Sequence, residues 1–350
     1  MTPARDATLE TIHVALAVYD PKETYSRHAG VVMASIFENT RSPVCVHILH
    51  DETLSGDNRE KFRHTAAGYG QQVHFADAAA SVSEMGEDAA RLTRIFSLGT
   101  LFRLAIPRLI PLPKVIYLDC DVVVNLDLSE LWNLSMEGAP LAGVPDREML
   151  RKMNKAFSRS SIAATWNGSR SQDGYVNAGV LVMNLDRIRR EHDLVSEAAA
   201  WFPRYSHCAE SPDQDFLNAL FRGRILPLPE RFNRCSPYRG DPSRSILHAS
   251  APVKPWNGLQ GLPVERLYWR YLFKSPWGGD ADELVESLID TALRSPGTHW
   301  HTSQCYQKIA FRLASDLSGP FRKIAVLLKL LALEGMKRCS KNTGSGGKAR

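Results

Sequence analysis

Through its first half the chain alternates short apolar runs with stretches of helical periodicity, and this alternation most restricts the folds open to it. Runs at 12–19, 44–49, 72–76 and 114–118 read as strands. Between them, Val31, Val32, Ile36 and Phe37 mark the apolar face of one helix, and Ser55 stands where it would cap a second. Residues 100–106 read as a third helix that stops at Pro107. Further strands are expected at 141–144, 180–183 and 245–248, and helices at 185–201 and 216–221. Such βα units build a largely parallel sheet, so the fold class is α/β. From Leu262 the pattern changes to consecutive helices, which form a C-terminal appendage.

A chain of 350 residues, 44% hydrophobic and 23% charged, can bury a core and does not read as disordered. No apolar stretch approaches the ~20 residues of a spanning helix, and residues 1–11 lack the basic flank and apolar block of a secretory leader. The net charge of +5 is uneven: residues 320–350 carry eight Lys and Arg against Glu334, or +7, which leaves the other 319 residues at −2. A basic nucleic-acid-binding body is therefore disfavoured, and no nucleic-acid partner is expected. The six cysteines form no CxxC pair. They read as buried small thiols in a reducing cytosol rather than a zinc or disulfide framework.

The sharpest local feature is Val115-Ile116-Tyr117-Leu118-Asp119-Cys120-Asp121, a central-strand run closed by two carboxylates. Residues two apart in extended chain point to one side, so Asp119 and Asp121 can converge at a strand's carboxyl end, where ligands of open α/β sheets bind. Read alone, the pair fits either a hard divalent cation or a turn capped by aspartates. Tyr175-Val176-Asn177-Ala178-Gly179 opens an apolar strand with small residues, and Asn177 could grip a sugar hydroxyl or shape a turn. Pro212-Asp213-Gln214-Asp215 starts a helix, and its acids either cap that helix or face a cleft. His248 ends a short strand, and Lys254 follows between Pro252 and Pro255, so one metal ligand and one cation can be presented together.

Together and in this order, the four blocks resemble the family 8 retaining glycosyltransferases, and more narrowly the bacterial lipopolysaccharide α-galactosyl- and α-glucosyltransferases. The matches are VIYLDCDVVVNLDLSELW at 115–132, YVNAGVLVMNL at 175–185, PDQDFLNALF at 212–221 and HASAPVKPW at 248–256. The run from Tyr268 to Trp277 resembles the family's C-terminal extension, so the likeness covers roughly residues 12–280. It implies a GT-A fold, a Rossmann-like α/β catalytic domain over 1–261; the residue pattern adds a helical extension at 262–319 and a basic amphipathic helix with a flexible tail at 320–350.

The resemblance further implies a UDP-hexose donor and Mn²⁺, with Mg²⁺ as the alternative ion. Asp119, Asp121 and His248 would hold the metal, and Lys254 would contact the diphosphate. Arg103 falls near the donor and Asp146 near the substrates. Asn177, beside Ala178, and Asp213 would bind the transferred sugar, and Gln214 would lie closest to the anomeric carbon. Tyr19 and Asp20 fall where the first strand meets the uracil; Tyr19 stands in place of the usual acidic residue, and Ala251 in place of a usual glycine.

The expected reaction is retaining transfer of galactose or glucose to a saccharide acceptor, lipopolysaccharide core or another lipid-linked oligosaccharide. A nucleotide-sugar hydrolase and a non-catalytic nucleotide-sugar-binding protein are the alternatives. Because the neutral amide of Gln214 is a poor nucleophile, same-face attack is expected over a covalent intermediate, with Asp213 the alternative nucleophile. Phe321, Ile324, Leu327, Leu328 and Leu331 follow helical spacing beside Arg322, Lys323 and Lys329. Residues 320–338 would therefore lie on an anionic membrane surface or pack on the body. The expected location is the cytoplasm, peripheral to the inner membrane.

Overall fold

The computed structural model describes residues 10–87, 89, 97–155, 174–205, 209–257 and 260–279. They fall in two units, Met1–Cys235 with Pro242–His248, and Ser236–Asp241 with Ala249–Arg350. In the first unit the described strands are β1 (Ile12–Val18), β2 (Val44–His50), β3 (Gln72–Asp77), β4 (Lys114–Leu118), β5 (Val122–Asn125), β6 (Leu141–Pro145), β7 (Val176–Asn184), β8 (Ile225–Pro227), β9 (Arg234–Cys235) and β10 (Ser245–His248). Its described helices are α1 (Ser26–Asn39), α2 (Gly56–Gly68), α3 (Ala79–Ser83), α4 (Gly99–Leu109), α5 (Ser129–Trp132), α6 (Arg147–Lys155), α7 (Leu185–Glu191), α8 (Leu194–Tyr205) and α9 (Pro212–Leu220).

Seven strands form one sheet in the order β3-β2-β1-β4-β7-β6-β8. Every neighbouring pair is parallel except the two made by β7, which runs against β4 and β6. That reversal carries the opening of β7, residues 176–179, to the carboxyl ends of β4 and β6. A smaller sheet, β5-β10-β9, is fastened to α1: Ser35 Oγ accepts from Val124 N at 3.0 Å, and Asn39 Nδ2 donates to Val124 O at 3.0 Å. The core of the first unit brings Leu101, Phe102 and Ile106 of α4 together with Tyr117, Leu181 and Met183 of the sheet and Phe202 and Phe216 of α8 and α9.

Ser55 caps α2 as expected, its hydroxyl accepting from Asn58 N. Other expectations need correction. Helix α4 runs through Pro107 to Leu109; the proline forgoes one backbone hydrogen bond, and Ile110 N still closes the last turn by donating to Ile106 O at 3.0 Å. Arg189 completes that end by donating to the carbonyls of Pro107, Ile110 and Leu112. The single helix expected at 185–201 is two. Asn184 caps α7, His192 turns extended at φ −145°, and α8 starts at Leu194. Strand β7 is longer than the expected 180–183, whereas α9 begins at Pro212, the helix start read from Pro212-Asp213. Strand β5 has no counterpart among the expected elements: among the described residues, 122–125 pair as a strand with the distant β10.

In the second unit, α10 (Pro263–Phe273) matches the helix expected after Leu262, and Trp269 Nε1 donates to Pro255 O at 3.1 Å. The rest of the appendage, including 320–338, lies outside the described residues. Among the described residues, no helix is long and apolar enough to cross a membrane. Cys45 and Cys120 are buried thiols, whereas Cys235 is exposed.

Leu181 pairs with Tyr117 on one side and Gly143 on the other and is 1% exposed. Leu181→Ala is expected to lower the free energy of unfolding by about 2–5 kcal/mol, read from urea titration. A loss well under 1 kcal/mol would show that this layer of the sheet is not the core.

Candidate active site

The pairing of the smaller sheet decides which side chains meet. In the β5–β10 register His248 lies opposite Val122, so its ring stands beside Asp121, the residue before that strand. His248 Nε2 lies 3.1 Å from Asp121 Oδ1 and 3.9 Å from Asp119 Oδ2. Asp119 N donates to Gly179 O at 2.9 Å, which carries the end of β4 onto the opening of β7. On its far side His248 Nδ1 meets Asn233 Oδ1 at 2.9 Å. An amide oxygen only accepts, so Nδ1 carries a proton and Nε2 is the nitrogen that faces the carboxylates. Gly179 leaves room for the ring, since a Cβ there would sit 2.3 Å from His248 Cε1.

Arg103, on α4, is 4% exposed. It donates to Asp119 Oδ1 at 2.7 Å and to Ala178 O at 2.7 Å, and its Nε lies 3.0 Å from Asp213 Oδ2. The guanidinium also stands 4.5 Å over the Tyr117 ring, and the Tyr117 hydroxyl donates to Asp119 Oδ1 at 2.8 Å. Such a charge is tolerable in the interior only because each face of it is paired.

Asn218 locks α9 to the sheet, accepting from Val176 N at 2.8 Å and donating to Val176 O at 2.9 Å. The first turn of α9 therefore lies along residues 175–178, and Gln214 Oε1 accepts from Ala178 N at 2.8 Å. Gln214 Nε2 donates to the Tyr175 hydroxyl at 3.0 Å and lies 3.4 Å from Asp146 Oδ2, so both ends of the amide are engaged. Asn177 Nδ2 lies 3.4 Å from the same Asp146 oxygen, and Asn177 Oδ1 accepts from Gly179 N and Asn233 Nδ2. Asp146, Asn177, Asp213 and Gln214 thus form one network with the carboxylate–imidazole cluster.

Burial opposes charge on His248, yet the adjacent Asp121 outweighs it and holds the imidazole pKa well above its usual value. Burial raises the Asp213 carboxyl despite the attraction of Arg103. Asp215 is pushed up to about 6 by burial, against the hydrogen bonds it accepts from the Tyr175 hydroxyl and the amides of Ser211 and Glu210. Ligand atoms of Asp119, Asp121 and His248 lie within 4.8 Å of one another. Two carboxylates and an imidazole, with the ring oriented by Asn233 and seated against Gly179, suit a divalent cation.

The model of glycosyl transferase family 8 matches residues 17–260. The chain belongs to glycosyl transferase family 8. It is 26% identical over 303 residues to a lipopolysaccharide 1,2-glucosyltransferase of Escherichia coli, covering 82% of this chain and 86% of that one. It is also 26% identical over 217 residues to a relative in Haemophilus influenzae, of whose length it covers 62%. The crystal structure of the galactosyltransferase LgtC with donor and acceptor sugar analogs superposes with a TM-score of 0.60 at 26% identity, covering 76% of this chain and 96% of that one. This family 8 glycosyltransferase therefore has the GT-A fold expected from its sequence.

Tyr19, Asp20 and Lys254 make contacts outside this network. Asp20 is 1% exposed, and its carboxylate accepts from Tyr25 N, Ser26 N and the Ser26 hydroxyl, which start α1. Tyr19 is partly buried and packs against the core beside Gly99. Lys254 belongs to the second unit, where its ammonium donates to Ala249 O at 2.6 Å. Sequence reasoning missed Asn233, which joins His248 to Asn177 from an irregular segment that carries no motif. It also gave no role to Tyr175, although that residue opens one of the matched blocks.

Because the folded Asp215 carboxyl titrates at about 6, above its ordinary 3.8, this group favours the folded state increasingly as pH falls from 6 toward 4. Carboxyl ¹³C NMR is expected to show one resonance titrating near pH 6 that disappears in Asp215→Asn. Tyr175→Phe, which removes a hydrogen bond to the charged form, should move that midpoint higher. An Asp215 midpoint at or below 4 would contradict the burial argument.

Proposed function

We propose that this family 8 glycosyltransferase moves a galactosyl or glucosyl group from a UDP-sugar to a saccharide acceptor, lipopolysaccharide core, with retention of the α configuration. The reading rests on one observation above all. The acidic pair Asp119 and Asp121 with His248 meets Asp146, Asn177, Asp213 and Gln214 in a single, partly buried network at the carboxyl ends of β4 and β6. Its similarity to a lipopolysaccharide glucosyltransferase supports the acceptor class.

In this proposal Asp119, Asp121 and His248 hold Mn²⁺, with Mg²⁺ the alternative. A bound cation of this kind offsets the negative charge that gathers on a departing diphosphate. Arg103 fixes the orientation of Asp119 and Asp213 together. Asn177 and Asp213 bind the transferred sugar, and Lys254 contacts the diphosphate. Tyr19 and Asp20 border the base, with Asp20 acting through the turn it holds. Gln214 has both ends of its amide engaged, so it positions the sugar and does not attack it. Asp213, held by Arg103, is likewise a poor nucleophile. The acceptor hydroxyl therefore approaches on the face that the diphosphate leaves, and a leaving phosphate oxygen takes its proton.

With radiolabelled UDP-galactose or UDP-glucose, Mn²⁺ and a lipid-linked oligosaccharide extract, label is expected to enter the lipid fraction. Asp121→Ala should cut incorporation at least about a hundredfold. Release of free sugar independent of acceptor would replace the transferase reading with a hydrolase. Donor binding without turnover would leave only a nucleotide-sugar-binding role.

The proposal extends to organisation: a catalytic domain over 1–261, a helical extension over 262–319, and a basic segment at 320–338 that rests on an anionic membrane surface on the cytoplasmic side. Deleting residues 320–350 is expected to abolish co-sedimentation with phosphatidylglycerol-containing vesicles. Undiminished co-sedimentation would remove the membrane role.

A further inference from the structure

The active site uses the carboxyl ends of the parallel strands. At their amino ends, a second group of metal-ligating side chains gathers on the first unit's sheet. In the β1–β2 register His13 lies opposite Cys45, and His47 follows two residues later on the same face. His13 Nδ1 stands 3.1 Å from His47 Nε2, and the ligand atoms of His13, Cys45 and His47 all lie within 4.8 Å of one another. Two imidazole nitrogens bound to one tetrahedral ion at ~2.0 Å are about 3.3 Å apart, so the observed spacing needs almost no rearrangement to accept a metal.

We propose that His13, Cys45 and His47 form a second metal site, selective for a borderline-soft dication of the Zn²⁺ class and tying the amino ends of β1 and β2 together.

The chemistry of the donors supports this assignment. The donor set of two imidazoles and a thiol is soft where the Asp119–Asp121–His248 set is hard, so the two sites would select different ions. The surroundings carry charge of both signs. Glu10 is close enough to act electrostatically on His13. Lys114 is also near, its ammonium donating to Trp132 O at 2.8 Å and lying 4.2 Å over the ring that packs against His13, so the site must outcompete one positive charge. His74 lies opposite His47 in the β2–β3 register and stacks on it with centroids 5.6 Å apart, which fixes the plane of the His47 ring. Elsewhere this face of β1 and β2 carries Ala15, Ala17 and Leu49, so packing alone does not call for imidazoles here.

The test uses the full chain with Asp121→Ala, so that the catalytic cluster contributes no binding, stripped with chelator and titrated with Co²⁺ or Zn²⁺ alone. One equivalent of Co²⁺ is expected to give a near-ultraviolet thiolate-to-cobalt band that Cys45→Ser abolishes. His47→Gln should weaken Zn²⁺ binding at least about tenfold in competition with a chromophoric chelator. Zn²⁺ should raise the melting temperature of the parent and not of the Cys45→Ser protein. His13→Gln serves as the second ligand variant if Cys45→Ser does not fold. A cobalt spectrum without a thiolate band, or Zn²⁺ affinity unchanged by the ligand substitutions, would overturn the proposal and leave a hydrogen-bonded pair of histidines.

Discussion

The candidate active site depends on one buried guanidinium. Arg103 is paired with Asp119 and Asp213 and hydrogen-bonded to the carbonyl of Ala178, and these partners come from three different elements: the end of β4, the first turn of α9 and the opening of β7. Taken without Arg103, Asp119, Asp121, Asp146 and Asp213 would bring four negative charges into one partly enclosed region. With it, Asp119 and Asp213 are neutralised and oriented together, and Asp121 is matched by His248. Removing the guanidinium would strip the buried Asp213 carboxylate of its cation and leave Asp119 with the Tyr117 hydroxyl, a larger loss than that of a surface ion pair.

The fold exists to make that pairing geometrically possible. One reversed strand in an otherwise parallel sheet carries Ala178 and Gly179 alongside Asp119. The small second sheet then delivers His248 from far along the chain to the residue beside β5. Asn218 fastens α9 by both hydrogen-bonding directions of one amide, which leaves Gln214 no freedom to swing away from Ala178. The result is a network in which few polar groups can move independently, as preorganised electrostatic catalysis requires.

Much of this was legible in the sequence because the decisive residues sit at the ends of strongly patterned elements. The apolar run before Asp119, the small pair Ala178-Gly179 and the Pro212-Asp213 helix start each announce a local structure that puts the side chains near strand ends. What stayed hidden depends on long-range pairing. Residues 122–125 follow the acidic pair directly, and the pairing with β10 makes them a strand of their own. Asn233 sits beside the two-residue strand β9, and its importance comes wholly from the contacts to His248 and Asn177. Asp20 was expected at the base, yet its carboxylate is taken up by the amides that begin α1, a competition between capping and binding that a motif does not resolve. The break at His192 likewise needs knowledge of the core, since α8 must turn to bring Phe202 against Phe216.

The central claim is that Asp119, Asp121 and His248 form a divalent-cation centre at the donor site. Anomalous diffraction at the manganese edge, from crystals soaked in Mn²⁺ and UDP, tests it most directly. The account predicts one strong peak within bonding distance, ~2.1–2.3 Å, of His248 Nε2 and of oxygens from Asp119 and Asp121, with the diphosphate completing the coordination. Diphosphate bound with no anomalous peak at these three residues, or with the ion held elsewhere, would contradict it.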